Sequence, residues 1–197
     1  MPIENNEQYE AWTRLKPGSV YAVKTLKSVL EETSESPDAL LDAYLFAKRS
    51  LAHSMRALLL GQLPPQCPDF HRLRSRIQEE MHARYADRIP ERFLKVPYGS
   101  EVHELLFTVL LQRLGQPVDS ALLRVATSDN VHTERRIREI RELGCHITAS
   151  MSGSNQYYTL ASLDLDFTKI ADLVGKEIRK SGAITADEKG DLIAKLD

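Results

Sequence analysis

Hydrophobic positions recur at helical spacing over most of the chain and switch to alternation in one place. From residue 37 to 60, Leu40, Leu41, Tyr44, Leu45, Ala47, Leu51, Ala52, Met55 and Leu58 to Leu60 return every three or four positions, the stripe of a long amphipathic helix. Ser36 is placed to cap it, Pro37 suits its first position, and Gly61 ends it. Ahead of it, Tyr9 and Trp12 anchor an entry segment that Lys16-Pro17-Gly18-Ser19 breaks before a helix over 20–32, with 33–38 as linker. Three prolines between Leu63 and Pro68 make a rigid loop, after which a helix is expected over about 70–85. Residues 88–99, with two prolines, read as a connector.

The next sixty residues hold the change of period. A helix over 101–114 is capped by Ser100 and ended by Gly115, with Pro117 close behind. A second covers 120–126, Asp129-Asn130 turns the chain, and a third runs over 131–143 to Gly144. Residues 146–149 and 156–160 then alternate like two strands around a small polar tip at 150–155. Tyr157 and Tyr158 must point to opposite faces. Three helices followed by a hairpin is the order of a winged helix-turn-helix with the hairpin as its wing. Helices over 166–180 and 186–196 follow, the last capped by Thr185. The expected fold is therefore mainly α: a helical domain over 1–97, a winged helix-turn-helix over 98–162, and C-terminal helices over 163–197.

On a helical wheel, Ile137, Ile140 and Leu143 of the third helix share an arc of roughly 120° that must face a core. The opposite side presents Glu134, Arg135, Arg138, Glu139 and Glu142, with His132 and Thr133 at the N-terminal edge. In a helix-turn-helix the outward residues of the first two turns reach base edges, which singles out Arg135 and Arg138. The arginine fork matches two acceptors of guanine in the major groove. The same residues also form i,i+4 pairs (Glu134 with Arg138, Arg135 with Glu139), which stabilise a helix without any DNA. Arg136, at the edge of the apolar arc, and Arg141, beside it, suit phosphate contacts or plain surface charges rather than base reading. At the tip, Ser152, Ser154 and Asn155 offer hydroxyls and an amide to a backbone or minor groove.

Composition adds a charge pattern. The net charge of −2 is uneven: residues 44–100 carry ten Lys or Arg against five Asp or Glu, whereas residues 101–160 carry six against seven. Arg72 and Arg76, sharing a face of the helix expected over about 70–85, are either a solvated surface or a phosphate-tracking one. Cys67 and Cys145 lie far apart with no CxxC or histidine-rich setting, so neither a disulfide framework nor a zinc site is indicated. No apolar run reaches the roughly 20 residues of a membrane span. The first residues lack a secretion signal, and cytoplasmic residence is the expectation. Glu101, His103 and Glu104, or Glu79, Glu80 and His82, are acid-histidine groups of a kind that chance places on helices, and no GxSxG, HExxH or phosphate-binding glycine loop occurs. No active site and no cofactor is expected in this chain.

Residues 132–144, an Arg- and Glu-rich helix closed by Leu143-Gly144, followed by Tyr157 to Leu160, resemble the winged-helix specificity region found ahead of HNH-type nuclease domains in some bacterial and phage restriction endonucleases. Residues 188–197 resemble the short helix that in those enzymes leads into a zinc-bound CxxC and the HNH motif, neither of which is present here. The resemblance implies sequence-specific binding of double-stranded DNA as the target-recognition part of such an enzyme, with a nuclease domain or subunit as partner. A winged-helix transcriptional regulator, which a palindromic target and a stable homodimer would favour, and a winged helix used for protein contact are the alternatives.

Overall fold

The computed structural model describes residues 6–32, 36–128 and 132–196. The expected turn at Asp129-Asn130, the helix start at Val131 and residues 33–35 of the expected linker lie outside the described residues. The described elements are, in order, α1 (Asn6–Glu31), α2 (Pro37–Leu60), α3 (Pro68–Tyr85), α4 (Glu101–Leu111), β1 (Val118–Asp119), α5 (Ser120–Ala126), α6 (Thr133–Glu142), β2 (Cys145–Ser152), β3 (Asn155–Leu165), α7 (Ile170–Lys180) and α8 (Ala186–Ile193). The protein is mainly helical, with one three-stranded antiparallel sheet in the order β1-β3-β2. No helix among the described residues is long and apolar enough to cross a membrane.

The chain forms two compact units, Met1–Gln66 with Ala121–Thr133, and Cys67–Ser120 with Glu134–Asp197. These limits differ from the expected divisions at 97 and 162. The first break falls in the proline loop after Gly61, and α5 groups with the N-terminal helices, where the Arg56 Nε donates to the Ala126 carbonyl at 3.0 Å.

In the first unit, α1 and α2 form a hairpin. Ser36 caps α2 as expected, accepting from the Ala39 amide at 3.2 Å, and Gly61 closes it. The expected break in α1 does not occur: the helix runs through Pro17. An internal proline costs a helix roughly 3 kcal/mol by removing one hydrogen bond and crowding the carbonyl four residues back. Here both Pro17 and Thr13 are exposed, so water can serve the freed carbonyl, and contacts on the far side hold the helix in line. The Ser19 hydroxyl, two residues on, donates to the Ser50 carbonyl at 3.1 Å and lies 2.8 Å from the Ser54 hydroxyl. The buried positions of the hairpin are Ser19 and Ala22 on α1 and Ala43, Ala47, Ser54 and Ala57 on α2, so the two helices meet along a seam of small residues.

In the second unit, Phe70, Ile77 and Met81 of α3, Leu106, Phe107 and Leu110 of α4, and Ile137 and Ile140 of α6 are all buried. The chain between α3 and α4 is held tightly. The Arg74 guanidinium donates to the Val96 carbonyl at 2.8 Å and to that of Pro97, while Gln78 donates to the Leu94 carbonyl and accepts from the Val96 amide at 3.1 Å. The expected hairpin is present but longer. β2 and β3 pair from Ser152–Asn155 inward, with a register shift between Cys145 and Ile147. The short β1, not foreseen, pairs Val118 with Tyr158 and Asp119 with Tyr157. Tyr158 is the tyrosine that turns inward, 5% exposed. Gly144 ends α6 with φ +93°, and a Cβ there would stand 2.7 Å from the Asp166 carbonyl oxygen, so only glycine allows the chain to leave the helix at this point.

Candidate functional site

The second unit presents one strongly basic ridge. On α6, Ile137, Ile140 and Leu143 face inward at 0–2% exposure, as the wheel requires. Three-residue spacing then carries Arg135, Arg138 and Arg141, all exposed, along the outer side, with exposed His132 ahead of them. The expectation that Glu139 also faces outward is wrong: it is 4% exposed. The wheel registers only the apolar arc, whereas the N-terminal turn of α4 brings His103 over this part of α6 and widens the covered face.

Glu139 gathers three donors. His103 Nε2 lies 2.9 Å from one carboxylate oxygen, Arg136 Nη1 donates to the same oxygen at 2.7 Å, and Arg135 Nε donates to the other at 3.0 Å. The Ser100 hydroxyl, expected to cap α4, instead lies 2.7 Å from His103 Nδ1. A neutral ring that accepts from Ser100 and donates from Nε2 to Glu139 satisfies both contacts. Burial disfavours charge on Glu139, but the bonds from His103, Arg136 and Arg135 outweigh it and bring its carboxyl down to about 2. Burial also pulls His103 below its ordinary value, against the opposing pull of Glu139. Beside this group, Glu142 accepts from the Tyr98 hydroxyl at 2.7 Å and from Lys176 Nζ at 2.6 Å. Tyr98 is in the left-handed region at φ 58°, and its ring lies beneath Lys176 and Lys180 at 5.4 and 5.8 Å.

Next to the ridge, α6, the start of β2, the turn at 166–169 and α7 enclose an open cleft of about 730 Å³. Its lining holds Arg138, Arg141, Lys169, Lys176 and Arg179 against Glu142, Asp166 and Asp172, over a floor that includes Ile147 and Leu173. Two of these carboxylates are already engaged, Glu142 as above and Asp166 by the Thr168 amide at 3.0 Å, so the remaining field favours an anion. The Cys145 thiol in the wall is pushed up to about 12 by burial and is no nucleophile at neutral pH.

The residues singled out from sequence therefore fall into three groups. Arg135 and Arg138 are exposed on α6, His132 is exposed in the turn before it, and Ser152, Ser154 and Asn155 are exposed at the hairpin tip. Arg136 and Thr133 hold structure: Arg136 binds Glu139, and Thr133, 2% exposed, has its hydroxyl 2.7 Å from that of Thr127. Arg72 and Arg76 are exposed on α3, Arg72 3.4 Å from Asp69 and Arg76 stacked 5.7 Å over the Phe167 ring. The cleft cations Lys169 and Arg179 were missed because they lie in the C-terminal segment, whose local charge is negative. Arg141, expected as a phosphate contact or a surface charge, is exposed and continues the ridge. The His103 and His82 groups do not assemble a metal site, and no cluster of three or more ligating side chains occurs among the described residues. Comparison with protein-family models, curated proteins and solved structures found no match for this chain.

Proposed function

We propose that this protein binds double-stranded DNA sequence-selectively, α6 serving as the reading helix and the β2–β3 hairpin as a wing. The observation that carries the reading is the exposed ridge Arg135, Arg138 and Arg141 on a helix whose opposite face is buried and whose end leads directly into a hairpin with a polar tip. The order α4, β1, α5, α6, β2, β3, with sheet order β1-β3-β2, supports a winged helix-turn-helix. Arg138 and Arg141 combine with Lys169 and Arg179 along the cleft wall, and Arg72 and Arg76 extend positive charge along α3, which supplies the phosphate contact that the sixty residues around α6 lack in net charge. The resemblance of residues 132–144 to restriction-enzyme specificity regions makes target recognition for a nuclease the most specific form of the proposal.

Selection of duplexes from a random library across a salt series tests it. The expected result is enrichment of one short site, relaxed in Arg135→Ala and Arg138→Ala at the positions they read, by about 1–3 kcal/mol per base pair. Failure to retain any duplex at low salt overturns the proposal.

A further inference from the structure

The large apolar side chains of the α1–α2 hairpin are on its outside. Every buried position of the hairpin is alanine or serine, while Val20 (46%), Val23 (44%), Leu30 (62%), Tyr44 (50%), Leu51 (37%) and Met55 (38%) are exposed. Helical geometry places these six on one side, while Tyr21 (65%) and Phe46 (44%) lie on the other flank and Leu41 (58%) and Leu45 (39%) on the back of α2. The Tyr21 and Phe46 rings meet edge-on at 6.3 Å and so mark one flank of the seam. At 100° per residue, Val20, Val23 and Leu30 project from α1 to the other flank, and Tyr44, Leu51 and Met55 project from α2 to the same one. Lys16, Lys27 and Lys48 punctuate this face, and their stems can lie along it with the ammonium groups at the rim.

We propose that this face is the interface between two copies of the chain, which pair as an antiparallel four-helix bundle. Three arguments favour a second copy. A seam of alanine and serine gives helices of 26 and 24 residues almost no core of their own, and helices draw most of their stability from buried side chains. The cover must then be present whenever the chain is folded, which an identical copy always satisfies and a transient partner does not. The area also fits. Six side chains of this size and exposure present roughly 500–600 Å² of apolar surface, close to the apolar share of the approximately 800 Å² each partner buries in a standard interface. A face built from two antiparallel helices is self-complementary about a twofold axis, as an isologous dimer requires. The pairing holds whether or not DNA is the ligand.

Sedimentation velocity and light scattering on the whole chain test the proposal. The expected mass is twice the chain's 22.3 kDa. Val23→Glu and Tyr44→Glu should give the single-chain mass with far-UV helicity lost from α1 and α2, and Tyr44→Phe should stay dimeric and fully helical. Amine-reactive cross-linking of an isotopically mixed wild-type sample needs no variant to fold: links between copies should join Lys16, Lys27 and Lys48. A monomeric wild type, Glu variants that remain dimeric, or links between copies confined to lysines outside α1 and α2 would each overturn the proposal.

Discussion

Glu139 shows how far a single side chain can depart from its apparent place on a wheel. Its carboxyl, brought down to about 2 from 4.5, stabilises the fold above its unfolded value and loses that contribution as pH falls towards the folded one, a term of about 3 kcal/mol. His103, lowered by burial, works in the same direction: the unfolded chain takes up its proton below about 6.5 while the folded one resists. Stability should therefore fall from pH 7 towards pH 3, and denaturant melts across that range should show the acid loss reduced in Glu139→Gln. At pH 7 that variant should be less stable by about 2–4 kcal/mol, because Arg136 and His103 lose a buried acceptor. Gly144→Ala should cost more than about 2 kcal/mol through its left-handed backbone and the Asp166 carbonyl, whereas Gly153→Ala, with open space around it, should cost only about 1 kcal/mol. Thermal melts of the two variants check the contrast. Sequence pointed to Gly144 as a helix stop, but the second reason for glycine there depends on a carbonyl 22 residues away and leaves no local trace.

Among the elements, those with caps were legible and those held by partners were not. Ser36-Pro37 and Gly61 bound α2, Pro68 opens α3, and Thr185 with Glu188 forms a full capping box at α8. Thr185→Ala should raise amide exchange across the first turn of α8 and cost about 1 kcal/mol. The continuity of α1 past Pro17 comes from hydrogen bonds to α2, and β1 exists only because two residues after Pro117 find β3; neither fact is local. On α6 the two classes of arginine separate by experiment. Arg138→Ala and Arg141→Ala should lower duplex affinity and leave the melting temperature unchanged, while Arg136→Ala should lower the melting temperature through Glu139. A fall in stability for Arg138→Ala would instead make the ridge a structural feature.

At the scale of the whole molecule, charge and apolar surface are segregated. The first 43 residues carry four basic against eight acidic side chains, the α1–α2 hairpin holds most of the exposed large hydrophobics found among the described residues, and the basic surplus lies in residues 44–100. Neutralising Arg72 and Arg76 together should weaken binding evenly across sequences and flatten the salt slope by up to about 2, whereas the α6 variants should change which sequence is chosen; equilibrium binding at several salt concentrations distinguishes them. The interleaving of the two units adds a constraint on synthesis. Residues 121–133 belong with the N-terminal hairpin, so a chain emerging from the ribosome cannot complete its first unit until residue 133 has been made. A fragment stopped at residue 97 should therefore leave Arg56 without the Ala126 carbonyl and form aggregates where the longer chain does not.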